Sequence, residues 1–207
     1  MTQFSNPLAR WNERFSTDDY LFGEKPNQYL ADKTPLLQKG KALSIADGEG
    51  RNSVWLASQG FDVDAFDFSP VAIEKAQKLA SKHKVKVNFH CNDWESFDWK
   101  PNQYDTIAGI FFQFADPQAR TQLFEKLNFS LKAGGTLIIQ GYDKAQIQYK
   151  TGGPGILENL YDEALLLSSF EGYKVLDLKT YLQEVNEGPG HNGLSALIGY
   201  LGQKPSC

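Results

Sequence analysis

Between Ala42 and Gln140 the chain switches repeatedly between two hydrophobic periods, and that alternation limits what it can fold into. Ala42 to Ala46 is a short apolar run. Phe61, Val63 and Ala65 alternate with Asp62 and Asp64 up to Asp67. Val85, Val87 and Phe89 alternate again, followed by Tyr104 to Phe111 and Thr136 to Gln140. Each run has strand length. Between them lie helical stretches with their own boundary signals. Asn52 to Gln59 is stopped by Gly60. Ser69-Pro70 offers a cap and a proline at the first helical position, opening a helix to about Lys82. Asp116-Pro117 opens another, carrying Leu123, Phe124, Leu127 and Leu131, and Lys132 to Gly135 reads as a turn. Strands alternating with helices predict a parallel sheet covered on both faces.

The pattern changes after Gln140. Ala145 to Gly155 is polar and glycine-rich, and Leu160 to Phe170 reads as a helix. Lys174 to Glu184 and Leu194 to Leu201 read as strands, joined by Asn186 to Gly193. So short a connection suits an antiparallel pair. The expected fold class is α/β: a Rossmann-like mixed seven-stranded sheet, helices on both faces, one reversed edge strand. With 207 residues it is expected to be a single domain. Residues 1–40 form an aromatic-rich lead-in with Trp11, Arg14, Phe15, Tyr20, Phe22 and Tyr29. It either packs across the sheet or closes over a ligand, and it can do both.

Net charge is −4, with no Lys/Arg block, which argues against a polyanion partner: no nucleic acid is expected. Neither the N-terminal MTQFSNPLARWNERF nor any later run has signal-peptide or membrane-spanning character, so no membrane partner is expected and a cytoplasmic setting is. The two cysteines, Cys91 and the terminal Cys207 on an expected mobile tail, form no CxxC or Cys/His cluster, so no metal is expected. The partner is expected to be a small-molecule substrate, and the protein a monomer or homodimer.

Chemistry concentrates at Ala46-Asp47-Gly48-Glu49-Gly50-Arg51-Asn52. In an open α/β sheet, ligands bind outside the carboxyl ends of strands where the strand order reverses. Gly48 and Gly50 let the backbone approach a ligand, and the helix starting near Asn52 offers free N–H groups and a positive dipole end. A dinucleotide loop needs a third glycine, G-x-G-x-x-G, and Ser53 stands there instead. Asp67, ending the second strand, can accept from both ribose hydroxyls of a nucleoside, or it can cap the helix that Ser69 already serves. Asn92-Asp93-Trp94 follows the third strand. There Asp93 could accept from an adenine amino group and Trp94 could cover a ring, or the three form a surface turn. Phe111-Phe112 could form the other wall, with one of the pair in the core.

These residues bring out a resemblance. The stretch ALSIADGEGRNSVWLASQGFDVDAFDFSPVAIEKA resembles the first two motifs of the class I S-adenosylmethionine (SAM)-dependent methyltransferases. YKTGGPGILENLY and EGPGHNGLSALIGYL are similar to later parts of the small bacterial tellurite-resistance-type subgroup, and the likeness runs from about Trp11 to Lys204. The resemblance implies SAM as cofactor, with Ala46, Asp47, Gly48 and Gly50 wrapping its methionine part and Asn52 beside them. It implies Asp67 on the ribose and Asp93, with Asn92, on the adenine amino group between Phe68 and Trp94. Gly109, Ile110 and Phe111 would lie beneath the methionine. Trp11, Arg14 and Tyr20 would close over the cofactor, with Arg14 a partner for its carboxylate. The sequence departs from the family at Ser44, where an acid is usual, and at Ala46, where glycine is usual. Ser44 can orient the loop through a water, and Ala46 is tolerable if its φ is negative.

Methyl transfer needs alignment and exclusion of water, and a proton-bearing acceptor also needs a base. The candidates are His191, Tyr149, Tyr142 and Arg51. His191, flanked by Gly190 and Gly193, is a base or an exposed loop histidine. Arg51 steers an anionic substrate or pairs with Glu49. Asp47 and Glu49 meet the positive end of SAM or solvent. His83 and His90 read as a helix-end and a strand residue. The expected activity is methyl transfer from SAM to a small acceptor such as a thiol or metalloid oxyanion. The alternatives are a non-catalytic SAM-binding module, prompted by Ser44 and Ala46, and an NAD-binding oxidoreductase.

Overall fold

In a computed structural model of the chain, residues 6–188 and 191–206 are described. Residues 1–5, Pro189, Gly190 and Cys207 lie outside the described residues, so the flanking role of Gly190 and the tail position of Cys207 do too. The strands are β1 (Lys41–Ile45), β2 (Asp62–Asp67), β3 (Val87–Cys91), β4 (Tyr104–Ile110), β5 (Leu131–Tyr142), β6 (Lys174–Asn186) and β7 (Asn192–Gln203). The helices are α1 (Pro7–Phe15), α2 (Gln28–Lys33), α3 (Arg51–Ser58), α4 (Pro70–His83), α5 (Pro117–Ser130) and α6 (Glu163–Ser169). All seven strands form one sheet in the order β3-β2-β1-β4-β5-β7-β6. The first five run parallel, and β7 is antiparallel to both β5 and β6. The expected seven-stranded mixed sheet is therefore present, but the reversed strand is β7, one in from the edge, while the edge strand β6 runs the same way as the first five.

Strand alternation divides the core between the two faces. Leu43 and Ile45 of β1 enter a cluster with Ile107, Ile139, Leu123, Phe124, Leu127, Phe170 and Tyr200, under α5 and α6. Ala42 faces the opposite way, into a cluster with Tyr29, Leu30, Leu56, Val63, Ala108, Ile138 and Leu201, under α2 and α3. The helix starts follow local capping chemistry. The Ser69 hydroxyl accepts from Ala72 N (3.2 Å) and the Asp116 carboxylate from Ala119 N (2.9 Å), each ahead of a proline.

Two stretches differ from expectation. Lys132 to Gly135 is carried inside β5, where the pairing with β4 jumps from Tyr104↔Leu131 to Thr106↔Thr136. The turn residues form an irregularity that the strand spans. The expected helix from Leu160 shortens to Glu163–Ser169, because Tyr161 bridges to Asp143 and Asp162 caps the helix through Leu165 N (2.7 Å).

Candidate active site

The order β2-β1-β4 makes the ends of β1 and β4 the place where connections diverge to opposite sides of the sheet. The loop Ala46 to Gly50 emerges there. Ala46 has φ +46°, so the condition under which alanine would be unstrained is not met. A left-handed conformation costs an L-residue roughly 1–2 kcal/mol. The chain holds it there by fixing the next residue. Asp47 N donates to the Phe66 carbonyl (3.0 Å). The Asp47 carboxylate is buried and accepts from Ser44 Oγ (2.7 Å), from Ser53 N (3.2 Å) and from Ser53 Oγ.

These contacts correct three expectations. Ser44 orients the loop directly through Asp47. Asp47 faces two serines and the first turn of α3, away from solvent. The N-terminus of α3 does not leave all its N–H groups for a ligand, since Ser53 N is taken. Burial pushes the Asp47 carboxyl up to about 7, against the pull of those hydrogen bonds. The Ser53 position, which fails the dinucleotide pattern, thus holds the loop's own carboxylate.

Asp67 ends β2 beside this loop. Its Oδ2 accepts from Gly48 N (2.9 Å) and its Oδ1 from Ser69 N (2.9 Å). Each oxygen keeps a further lone pair, so the carboxylate is both tethered and able to accept from a diol. Burial raises it to about 6 despite those N–H groups. Gly50 also serves packing: its φ is +91°, and a Cβ there would lie 2.7 Å from the Ala76 Cβ on α4. Gly48 instead lies beneath the Phe15 ring of α1, with 3.7 Å to the place a Cβ would take.

The remaining candidates follow the strand ends. Phe68 is half-buried after β2. Past β3, Asn92 N donates to the Asp67 carbonyl (3.1 Å), and the exposed Asp93 accepts from Ser96 N (2.7 Å), which holds its carboxyl below the usual range. Trp94 packs at the edge of the same cluster as Ala46. On β4, Gly109 abuts the Phe112 ring, Ile110 is buried, and Phe111 turns out of the strand at φ +54°. The two phenylalanines divide: Phe112 enters the core, while the half-buried Phe111 packs against the rings of His191 and Tyr142.

Residues 7–33 both pack on the sheet and cover the loop. Trp11 stacks on Phe15 at 5.2 Å, Phe22 lies 4.3 Å from the His191 ring, and Phe111 lies 4.4 Å from it. Arg14 sits over the Trp11 ring at 4.6 Å. Lys75 of α4 secures the turn after α1, donating to the carbonyls of Thr17 (2.9 Å) and Asp19 (2.7 Å), and its Nζ lies 2.5 Å from Glu49 Oε1. Glu49 also accepts from Leu21 N (2.8 Å), so it holds the cover and is turned away from solvent. The Tyr20 hydroxyl donates to the Lys75 carbonyl (3.1 Å), which makes Tyr20 part of the same fastening.

Of the candidate reacting groups, the structure joins His191, Tyr142 and Arg51. His191 is buried, with Tyr142 5.8 Å from its ring, which overturns the exposed-loop alternative. Burial lowers its pKa below 6.5, partly opposed by Glu187. Arg51 pairs with Glu187 (2.7 Å) and donates to the Phe22 carbonyl (3.2 Å), so it neither pairs with Glu49 nor lies open to an anion. Tyr149 stands apart, half-buried at the end of a 3-10 turn, its N–H on the Gln146 carbonyl (2.9 Å). Asn52 accepts from Asn27 N (3.0 Å) and ties α3 to the cover. Sequence reasoning missed Glu187 and Lys75. The signal for Glu187 was weak: a carboxylate four residues before a histidine in a glycine-rich loop.

Residues 42–135 match a family model described as a methyltransferase domain. TehB of Haemophilus influenzae, described as a probable S-adenosyl-L-methionine-dependent methyltransferase, is 20% identical over 110 residues, 53% of this chain and 38% of that protein. The solved structure of TehB superposes with a TM-score of 0.69 at 16% identity, covering 95% of this chain and 66% of that one. An uncharacterized methyltransferase of Schizosaccharomyces pombe is 35% identical over 79 residues, covering 36% of this chain and 54% of that protein. A structure from work on converting a disulfide bond into a thioacetal group during echinomycin biosynthesis gives a TM-score of 0.76 at 16% identity, covering 96% of this chain and 89% of that one. The chain thus spans from about two fifths to about half the length of the curated relatives named here. Among the described residues no helix is long and apolar enough to cross a membrane, and no group of His, Cys, Asp and Glu could hold a metal.

Proposed function

We propose that this chain is a class I SAM-dependent methyltransferase that transfers a methyl group from SAM to a small-molecule acceptor, a reading supported by the methyltransferase-domain match over residues 42–135 and the similarity to TehB. The observation that carries the reading is Asp67. A buried carboxylate, fixed by Gly48 N and Ser69 N at the end of β2, retains lone pairs for a ribose diol beside a loop whose carbonyls and N–H groups sit close to solvent-excluding aromatics. The donor set suits a cationic adenosine: carboxylates at 67 and 93, aromatic surfaces at Phe68, Trp94 and Phe111, and no third glycine for a pyrophosphate.

SAM supplies an electrophilic sulfonium methyl. The chain's own residues supply position and dryness. Ala46 to Gly50 and Gly109 to Phe111 would flank the methionine part, and Asp93 with Asn92 the adenine edge. Arg14 has no carboxylate partner among the described residues, so it is available to the methionine carboxylate. Trp11, Phe15 and Phe22 exclude water. His191 is neutral at neutral pH because burial disfavours its charged form, so it can take a proton from a thiol as the sulfur attacks. A metalloid oxyanion has no such need. Transfer of labelled methyl from SAM to a panel of thiols and metalloid oxyanions tests the reading. Binding of SAM with no transfer to any acceptor would favour the non-catalytic alternative, which the strained Ala46 keeps in view.

A further inference from the structure

Just after β6, Glu187 carries a carboxylate whose contacts reach α3, the cover and His191. Glu187 Oε2 accepts from Arg51 Nη2 at 2.7 Å, and its Oε1 accepts from Asn27 Nδ2 at 3.1 Å. Arg51 opens α3, and Asn27 belongs to the cover just before α2. The same Oε2 lies 3.6 Å from His191 Nδ1. His191 Nδ1 is buried and has no hydrogen-bond partner among the described residues. A buried N–H left without an acceptor is unfavourable, and Glu187 is the acceptor placed to relieve it. The loop is also seated tightly against the cover: a Cβ at Gly188 would meet the Leu21 carbonyl at 2.6 Å and Gly23 N at 2.8 Å.

We propose that Glu187 is a positioning residue, which fixes the proton of His191 on Nδ1, directs Nε2 to the acceptor, and does so only while the cover residues Phe22 and Asn27 are docked. The inference rests on the reading of His191 as the base. A histidine whose Nδ1–H faces a carboxylate has one tautomer and a more basic Nε2. Beside the rings of Phe22 and Phe111, four charged or titratable groups face this ring: Glu187 on its own loop, Arg51 on α3, Arg14 on α1, and Tyr142 on β5. The two arginines and burial depress its charge, and Glu187 alone supports it. The cover's Asn27 and the Phe22 carbonyl bond to the same Glu187–Arg51 pair, so the seat of the cover and the orientation of the base share one set of contacts.

The test is nitrogen and proton NMR of the imidazoles in the full chain without ligand. There are three histidines, and His191→Gln assigns the signal. In the unaltered protein the neutral ring should carry its proton on Nδ1. In Glu187→Gln the titration should move to lower pH and the tautomers should mix. Methyl transfer to a thiol should fall at least about tenfold in kcat, within the roughly 10²–10⁴-fold that a general base supplies, with KM for SAM little changed, and Glu187→Asp should recover part of it. An Nε2–H tautomer in the unaltered protein overturns the proposal even if Glu187→Gln does not fold. An unchanged titration in folded Glu187→Gln overturns it as well. A shifted titration with His191→Gln still fully active would keep the positioning role and sink the base reading.

Discussion

At the scale of single residues, the account turns on Ala46 and Asp47. Ala46→Gly removes a left-handed alanine, gaining roughly 1–2 kcal/mol in the folded state. It also frees the unfolded chain, at a cost of about 0.4–1 kcal/mol. The expected net effect runs from about zero to about 1.6 kcal/mol of added stability in denaturant unfolding, and a clear loss would contradict the backbone at this position. Asp47 is expected to make stability depend on pH. Its folded carboxyl titrates at about 7, above the value of 3.8 for an unfolded one, so the native state retains a proton the unfolded chain releases. Its contribution is therefore most favourable below about pH 4 and is lost as pH rises towards 7. Asp67, at about 6, acts in the same direction. Asp47→Asn should flatten the fall between pH 5 and 7, because the hydroxyls of Ser44 and Ser53 can rotate to meet an amide. Equal pH slopes in the two proteins would remove Asp47 as the source. The carboxylates at 47, 67 and 93 were all visible in the sequence as candidates. The role of Asp47 was not, because Ser44 and Ser53 reach it through a loop geometry that no spacing rule encodes.

At the scale of elements, β1, β2, β4, α4 and α5 were legible because period or caps marked each of them, whereas the start of β5 was hidden by its turn-like Lys132 to Gly135. The cover was legible only as an aromatic-rich lead-in. What fastens it comes from far along the chain: Lys75 reaches back to Phe15, Thr17 and Asp19, and Glu187 reaches Asn27. Such pairings arise from tertiary packing and leave no local period. The Lys75–Glu49 pair is nearly buried, with side chains 11% and 3% exposed. Removing one partner of a buried pair costs about 3–5 kcal/mol, because the other charge is left uncompensated. Lys75→Met should therefore destabilise by about that much and loosen the turn after α1 to protease. Adding Glu49→Gln should recover part of the loss, and a double-mutant cycle measures the difference. Additive losses would mean that the two charges do not act on one another.

For the whole molecule, one seven-stranded sheet places β1, β2 and β4 so that the loop at Ala46, the carboxylate of Asp67 and the ring of Phe111 converge on one end. The cover closes that end, and the hairpin loop of β6 and β7 brings His191 and Glu187 to it from the far side of the sheet. A ligand that binds only this folded arrangement stabilises it by mass action, about 2.7 kcal/mol at a hundred times its dissociation constant. The central claim is that the arrangement receives SAM through Asp67. Calorimetric titration of the protein and of Asp67→Ala with SAM and with NAD tests it most directly. The account predicts SAM binding with none for NAD, and at least about tenfold weaker SAM binding in folded Asp67→Ala, about 1.4 kcal/mol. Tight NAD binding without SAM binding, or unchanged SAM affinity in Asp67→Ala, would contradict it.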